Sequence, residues 1–303
     1  MDRKVATPGR TDATRGWPNL GPMRIDLHTH STASDGTQSP AEVVGSASEA
    51  GLDVVALTDH DTTSGWEEAA ASAIRHGIAL VRGIEVSCQH EGISIHLLGY
   101  LQDPAAPGLL AELDRSRESR ETRAQLIVGR LSADVPLHWD DVLAQVEPGA
   151  TIGRPHIADA MVVKGIVPTR KDAFDTYLKN GSPYYVSHYA PDPVRAVRLV
   201  GEAGGVAVMA HPFASIRGDV AADAVIEAMA EAGMAGLEVH HPEHTGAQVR
   251  YGTDLAASLG LFVTGSSDYH GDGKPNRLGE RTTDPVVLQQ IEDLATGTPV
   301  LRR

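Results

Sequence analysis

The chain has 303 residues, 14 histidines, one cysteine and a formal net charge of −14. This length suits one large α/β domain with an insertion, and the negative charge argues against a protein that binds nucleic acid through a broad basic face. No apolar run reaches the ~18 to 20 residues of a membrane-spanning helix, and the N-terminal residues lack the apolar core of a signal peptide. Because Cys88 has no disulfide partner, the cytoplasm is the expected location.

The first 22 residues are polar, contain proline and glycine, and show no apolar periodicity. We expect residues 1–22 to form a disordered leader. Met23 is an alternative start to Met1, since the first predicted strand begins directly after it.

Strands and helices alternate in the next part of the chain. Capping boxes at Ser39 and Ser64 predict two helices, which end near Gly51 and Gly77. Continuous apolar strands separated by helices predict parallel strands covered by helices. After a first strand that starts at Met23, the predicted strands cover residues 53–58, 78–84, 93–98, 206–210, 236–240 and 261–265.

The alternation is interrupted between residues 107 and 187, which contain no strong strand pattern. Helical patterns cover residues 108–131, 140–146, 154–164 and 172–178. We therefore predict a helical insertion, residues 107–187, in a domain formed by residues 23–106 and 188–303.

Histidine and carboxylate residues recur within or just after successive apolar strands. Because side chains alternate along a strand, the two histidines of His28-Thr29-His30 point the same way and can share one metal ion. In a parallel α/β barrel, the carboxyl ends of the strands form the face where active sites lie. The candidate ligands are His28, His30, Asp35, His60, Glu85, His96, His211, Asp268 and His270.

The chemistry of these nine residues limits the metal. Imidazole and carboxylate without cysteine suit Mn²⁺, Fe²⁺ or Zn²⁺, and they exclude a thiolate zinc finger. Nine ligands are too many for one ion and suit three ions that share a bridging carboxylate. We favour Mn²⁺, with Fe²⁺ and Zn²⁺ as alternatives.

The sequence resembles the polymerase-and-histidinol-phosphatase (PHP) family of metal-dependent phosphoesterases from Met23 to the C-terminus. The matching motifs are His28-x-His30, Thr58-Asp59-His60, Glu85, His96, Ala210-His211-Pro212 and Ser267-Asp268-x-His270. The resemblance implies a distorted (β/α)7 barrel with the helical insertion as a lid. It also implies three ions, held by His28, His30, Glu85 and Asp268, by Asp35, His60 and His270, and by Glu85, His96 and His211.

The same resemblance implies phosphate ester hydrolysis. A hydroxide held between two ions would attack phosphorus, because metal coordination lowers the pKa of bound water towards neutrality. No protein nucleophile is then needed, and Glu85 is the expected bridging ligand. We read Asp59 as a carboxylate that orients a ligand. His240, His241 and His244 are expected to be surface or rim histidines.

An arginine-rich segment lies in the insertion, between Asp114 and Arg130. One interpretation is a solvated helix face with salt bridges to nearby glutamates. The other is phosphate recognition, which guanidinium groups suit and which a helix start favours. Nucleotide-acting members of the PHP family carry matching arginines in a similar lid, and the resemblance therefore implies substrate contacts. The residues concerned are Arg120, Arg123, Arg154 and His156.

Within the family, the chain is most similar to enzymes that remove the 3′-phosphate of nucleoside 3′,5′-bisphosphates, whose relatives trim short RNA from the 5′ end. A nucleotide, or short RNA, is the expected substrate, and no protein partner or membrane is expected. The alternatives are a histidinol-phosphate phosphatase, a non-catalytic metal-binding module, and an amide or lactone hydrolase. A panel of phosphate esters and amides separates these functions.

Overall fold

The computed structural model describes residues 23–302. The expected disordered leader, residues 1–22, lies outside the described residues. The strands of the described part belong to one seven-stranded sheet in which sequence neighbours pair. They are β1 (Ile25–Asp26), β2 (Val54–Leu57), β3 (Ala79–His90), β4 (Ile93–Tyr100), β5 (Val206–Met209), β6 (Gly236–His240) and β7 (Phe262–Gly265).

Helices follow most strands and fill the insertion. They are α1 (Pro40–Glu49), α2 (Trp66–His76), α3 (Pro107–Leu131), α4 (Trp139–Leu143), α5 (Arg154–Val163), α6 (Arg170–Ala173), α7 (Pro193–Glu202), α8 (Asp223–Glu231), α9 (Gly246–Leu259) and α10 (Pro285–Leu294). A π-helical turn continues α6, and a 3-10 turn at Ser215–Arg217 follows β5. None of the helices between residues 23 and 302 combines the length and the apolar character that crossing a bilayer requires.

The sheet curls into a nearly closed barrel. Strands β1 to β3 are parallel, as are β5 to β7. A bridge between Thr29 and Tyr269 brings the two edges together, and the Thr283 amide donates to the Ile25 carbonyl at 2.9 Å. The expected distorted (β/α)7 barrel with a helical insertion is confirmed.

The strand β4 departs from the parallel pattern, because it runs antiparallel to both β3 and β5. Its connection to β3 is the two-residue turn Glu91-Gly92, in which both residues have positive φ, 48° and 86°. Such turns connect antiparallel hairpins. The expectation of parallel strands is therefore wrong for β4, whose N-terminal half lies beside the C-terminal half of β3.

Alternate residues of the short strands pack on opposite sides of the sheet. Val54 and Ala56 belong to a core inside the barrel together with Ile25. Val55 and Leu57 pack on the outside, against α1 and α2. Both faces of the strand are buried, which explains why its sequence is continuously apolar rather than alternating.

The ends of the first two helices test the capping predictions. The Ser39 capping box is confirmed, and proline occupies the first turn of α1. Gly77 ends α2 in the left-handed conformation, with φ of 63°. The second capping box is wrong: Gly65 is the N-cap of α2 and makes no side-chain cap. The Ser64 hydroxyl accepts a hydrogen bond from Thr62 instead.

The helical segment between residues 107 and 187 has a hydrophobic core of its own. Ile127 and Val128, in the second half of α3, pack in this core with side chains from α4, α5 and α6. Leu109 and Leu113, in the first half of α3, pack against the outside of the barrel and α7. The helix α3 thus connects the barrel with the helical segment, whose role as a lid stays a prediction.

Candidate metal centre and substrate pocket

The nine predicted ligands meet at one end of the barrel. Eight of them form three groups whose ligand atoms lie within 4.8 Å of one another. The ninth, His211, places its Nε2 3.1 Å from Glu85 Oε1. The carboxyl ends of the parallel strands converge at this edge, and antiparallel β4 brings His96 there from its first half.

The first group consists of His28, His30, Glu85 and Asp268, all buried. The Nε2 atoms of His28 and His30 are 3.0 Å apart, and they lie 3.2 and 3.0 Å from Glu85 Oε2. Both are 3.5 Å from Asp268 Oδ1. This set is the one that the family resemblance implies for one ion.

The second group contains the expected Asp35, His60 and His270, and His30 joins them. His270 Nε2 is 3.3 Å from Asp35 Oδ1, and His60 Nε2 is 3.9 Å from Asp35 Oδ2. His30 therefore lies between the first two groups.

The third group differs by one member from the expected set. The structure brings His60 together with Glu85 and His96, and His96 Nδ1 is 2.7 Å from Glu85 Oε1. His211, expected in this group, also contacts Glu85, but its Nε2 is shared with Arg217 Nη1 at 3.1 Å. Glu85 contacts members of all three groups, as a bridging ligand should.

The arrangement fits divalent cations. The buried side-chain atoms His60 Nδ1 and His270 Nε2 lie 3.2 and 3.3 Å from carboxylate oxygens but form no hydrogen bond among the described residues, although buried polar atoms are normally paired. Burial alone would raise the pKa of Glu85, but His60, His96 and His28 hold it well below its usual value. A fully ionised carboxylate surrounded by imidazoles is a donor set for borderline or hard metal ions.

A further carboxylate, Glu238, supports the first group and was not predicted from the sequence. Its Oε1 is 3.0 Å from His28 Nδ1 and accepts a hydrogen bond from Ser266 at 2.7 Å. Its Oε2 accepts the His211 amide at 2.8 Å. The carboxylate thus fixes the tautomer of His28 that leaves Nε2 free to bind metal.

We expect Glu238→Gln to weaken metal binding by about ten- to a hundred-fold, the usual effect of losing a carboxylate that orients a histidine ligand. Metal titration of the metal-depleted protein, followed by the return of phosphoesterase activity, measures this change. Glu227→Gln, on α8, is the control. An unchanged metal affinity in Glu238→Gln would contradict the orienting role.

Asp59 acts on His30 through a serine, in line with its reading as an orienting carboxylate. Its Oδ1 accepts hydrogen bonds from the Ser31 amide at 2.7 Å and from Ser34 Oγ at 2.6 Å. Ser34 Oγ lies 3.4 Å from His30 Nδ1. The loop after β1 is thereby tied to the loop after β2.

Backbone strain marks the same end of the barrel. Asp61, His211 and Asp268 have positive φ of 53°, 29° and 54°, which costs a non-glycine residue about 1–3 kcal/mol. Two of the three are predicted ligands, and the third directly follows the predicted ligand His60. These backbone conformations therefore lower the stability of the fold, and they set the directions of the three side chains.

The histidines that follow β6 were expected at the surface or rim, and this is wrong for two of them. His240 is exposed, but His241 and His244 are buried. His241 packs against His211, with 5.3 Å between ring centroids, because the loop after β6 folds back towards the metal centre.

Two cations beside Asp268 were also missed. Arg217 Nη2 and Lys274 Nζ lie 2.6 and 2.8 Å from Asp268 Oδ2. Arg217 also forms an ion pair with Glu243 at 2.6 Å. No sequence signal distinguished these residues: Arg217 is 51 residues from Asp268 in the chain, and Lys274, six residues from it, lies in a loop without a recognisable motif.

The predicted substrate arginines differ in their partners. Arg120 Nε is 2.8 Å from Asp61 Oδ2, so α3 is tied directly to the loop that carries His60. Arg123 donates to the Val186 carbonyl at 2.9 Å, and Arg154 to the Leu178 carbonyl at 2.8 Å. Among residues 23–302, neither Arg123 nor Arg154 has a carboxylate within ion-pair distance.

His188 lies close enough to these arginines to feel their charges, and it was not predicted as a site residue from the sequence. Its Nε2 is buried without a hydrogen-bond partner. Burial, together with the charges of Arg120, Arg123 and Arg154, lowers its pKa from 6.5 to about 3. Burial and the charges of Arg154 and Arg120 likewise lower the pKa of Arg123 to about 9. We call Arg123, Arg154 and His188 the cationic pocket.

The fourth predicted substrate residue, His156, is buried at the start of α5. Its Nδ1 accepts the Gly153 amide at 3.1 Å, and burial lowers its pKa. His156 thus supports the N-terminus of its own helix, and its contact with substrate stays a prediction.

Comparisons with known proteins identify the family of this chain. The PHP domain matches residues 26–130. The 3′,5′-nucleoside bisphosphate phosphatase of Chromobacterium violaceum is 36% identical over 88% of this chain and 94% of its own. A 5′-3′ exoribonuclease of Haemophilus influenzae is 39% identical over 63% of this chain and 69% of its own. A structure from Bifidobacterium adolescentis, assigned as a metal-dependent phosphoesterase, has a TM-score of 0.88 at 40% identity and covers 91% of this chain and 98% of its own.

A barrel whose strand ends carry clustered histidines and carboxylates defines a metal-dependent hydrolase. The chain belongs to the PHP family, and it is a metal-dependent phosphoester hydrolase.

Proposed function

We propose that the protein hydrolyses phosphate esters of nucleotides and removes the 3′-phosphate of nucleoside 3′,5′-bisphosphates. Trimming of short RNA from the 5′ end is a second activity of the same site. The relatives named for bisphosphate and RNA hydrolysis support this choice.

One observation carries the proposal: two separate sites, one of them once loaded with metal, suit a phosphate group. The first is the metal centre, where the phosphoryl group to be removed would bind. The second is the cationic pocket, where, among residues 23–302, two arginines lack a carboxylate partner and the buried His188 Nε2 lacks a hydrogen-bond partner. Burying unpaired charge is costly, so an anion from the substrate would stabilise this pocket. A ligand with two phosphates satisfies both sites.

The two sites are neighbours. The charge of His96, a predicted ligand, contributes to the lowered pKa of His188. The helical segment also contacts the loop after β1, since the Thr151 amide donates to the Ala33 carbonyl at 3.0 Å and Arg170 donates to the Asp35 carbonyl at 3.2 Å. A small substrate can therefore reach from the pocket to the metal ligands.

Bound divalent ions would supply an activated water and neutralise the phosphoryl oxygens. The nine predicted ligands would hold these ions, with Glu85 shared between groups. The cationic pocket would bind and orient the second phosphate. Cys88 is unsuited to act as a nucleophile, because it is buried and burial raises the pKa of its thiol well above its usual value.

The cationic pocket also argues against the histidinol-phosphate alternative. Histidinol phosphate has no second phosphate and instead carries an ammonium group and an imidazole, whose positive charge the unbalanced arginines would repel. Release of phosphate from adenosine 3′,5′-bisphosphate, compared with histidinol phosphate, tests the proposal. Faster hydrolysis of histidinol phosphate would reject it, and the absence of any turnover with Mn²⁺ would favour a non-catalytic module.

The number of ions, their identity and the cellular location are also part of this proposal. We propose three ions per chain, Mn²⁺ by preference, because the ligands form three groups without cysteine. Elemental analysis of protein purified with Mn²⁺ decides this, and one ion or fewer per chain would reject it. The cytoplasmic location rests on Cys88 being the only cysteine.

The lowered pKa of His188 predicts a pH effect on stability. Between pH 6.5 and about 3 the unfolded chain binds a proton at this residue, while the folded protein keeps it neutral. His188 therefore opposes folding increasingly as the pH falls through this window. We expect His188→Asn to gain stability relative to the unsubstituted protein between pH 7.5 and 5.5, as measured by urea unfolding.

His76→Asn, at an exposed position on α2, provides the control for the loss of a histidine. If His188→Asn and the unsubstituted protein lost stability in parallel, the electrostatic description of the pocket would be wrong.

A further inference from the structure

His241 combines complete burial with an unused hydrogen-bonding atom. The residue directly follows β6, and its ring packs against that of the predicted ligand His211. Its Nε2 points at the metal centre, 3.5 Å from Asp268 Oδ2. Among the described residues this nitrogen has no hydrogen-bond partner.

The other ring nitrogen fixes the chemistry of this atom. His241 Nδ1 accepts a hydrogen bond from the Glu243 amide at 3.2 Å. A neutral imidazole has one protonated and one unprotonated nitrogen, so its proton is on Nε2. A protonated nitrogen has no lone pair for a metal. His241 therefore presents an N–H donor to the centre and is not a tenth ligand.

The nearest carboxylate oxygen already has partners. Asp268 Oδ2 accepts from Arg217 Nη2 at 2.6 Å and from Lys274 Nζ at 2.8 Å. Two charged donors thus occupy this oxygen at good distance, while His241 remains outside hydrogen-bond geometry. The N–H group is left for an acceptor that comes from outside the chain.

His244 shows what a purely structural histidine looks like in the same loop. Its Nδ1 lies 2.8 Å from the Val239 carbonyl, and its Nε2 accepts the Phe213 amide at 3.2 Å. Both nitrogens are paired within the protein. His241, three residues earlier, has one unpaired nitrogen. For this reason we expect a bound molecule to contact His241 and not His244.

We propose that His241 Nε2–H donates a hydrogen bond to a non-bridging oxygen of the phosphoryl group bound at the metal centre. The acceptor is the shared part of every phosphate ester and of the product, inorganic phosphate. His241 would then be a catalytic residue that every substrate uses, unlike the cationic pocket. The inference rests on the proposed function only in requiring a phosphate ester as substrate.

The test compares His241→Phe, which keeps a ring without the donor, with His241→Gln, which restores an N–H near the position of Nε2. We expect His241→Phe to lower kcat/KM about ten- to a hundred-fold, the range for a hydrogen bond to a charged group. The loss should be equal for adenosine 3′,5′-bisphosphate and for an aryl phosphate. The inhibition constant of inorganic phosphate should rise by a similar factor, and His241→Gln should recover part of both.

Manganese content and melting temperature distinguish this role from others. Both should match the unsubstituted protein in the two His241 variants, whereas His244→Gln should lower the melting temperature. Unchanged kinetics and phosphate inhibition in His241→Phe would overturn the inference, and so would a loss of bound metal in both variants. If the unsubstituted protein hydrolysed no phosphate ester, the proposed function would fail instead.

Discussion

Glu85→Gln is expected to lower kcat/KM by about a thousand-fold and to reduce the metal content. The stabilisation that a metal ion provides is worth several kcal/mol, and each ~1.4 kcal/mol is a factor of ten in rate. Glu85 is central because its two oxygens lie between 2.7 and 3.2 Å from five histidine rings. The glutamine keeps the volume of the side chain but removes the negative charge that would balance the cations.

Elemental analysis after dialysis and kinetics at saturating Mn²⁺ measure the two effects separately. Glu238→Gln serves for comparison. Glu238 contacts His28 Nδ1 and the His211 amide, so excess metal should compensate for the loss of its charge. A Glu85→Gln protein with normal metal content and normal turnover would remove the bridging role.

Arg154→Ala should lower kcat/KM for adenosine 3′,5′-bisphosphate by about ten- to a hundred-fold, because a hydrogen bond between charged groups is worth about 1.5 to 3 kcal/mol. The loss should be small for an aryl phosphate, which reaches only the metal centre. Arg154→Lys should recover part of the activity, since an ammonium group cannot form a bidentate fork with phosphate.

Arg117→Ala is the matched control on α3. Arg117 forms an exposed ion pair with Asp114 at 2.9 Å, and exposed pairs contribute little. It should leave both substrates unaffected. An equal loss on both substrates in Arg154→Ala would show that Arg154 supports the fold, and no loss on either would remove its role in binding.

Most of the predicted metal ligands follow from local sequence patterns, whereas His96, inside an apolar strand, was assigned only through the family resemblance. The alternation of His28 and His30 on an extended segment sets their common direction. The positions of His60 and Glu85 at the ends of apolar runs place them at one edge of the sheet. The membership of the second and third groups required the structure, because His30 and His60 each approach two groups and His211 also meets Arg217.

The three-residue spacing of the arginines in α3 did not predict their directions correctly. A spacing of three residues suggested that Arg117, Arg120 and Arg123 share a face, but an α-helix has 3.6 residues per turn. Each step of three therefore rotates by about 60° away from the starting direction. Arg117 turns to the solvent, while Arg123 is buried.

Other errors have a long-range origin. The burial of His241 depends on contacts with His211 and Asp268, which lie 30 and 27 residues away in the chain. The lowered pKa of His188 depends on arginines from two different helices, α3 and α5. The antiparallel direction of β4 depends on two residues, Glu91 and Gly92, whose positive φ the strand pattern does not reveal.

The continuity of α3 has a consequence for substrate selection. One uninterrupted helix packs on the barrel at Leu109 and Leu113 and in the helical segment at Ile127, so Arg123 on this helix cannot move away from the predicted metal ligands without bending it. If the metal centre and the cationic pocket each bind a phosphate, as proposed, this helix keeps the distance between the two phosphates fixed. Selection then depends on the distance between a ligand's two phosphates. A bisphosphate with a longer spacer should bind more weakly, although its charge is the same.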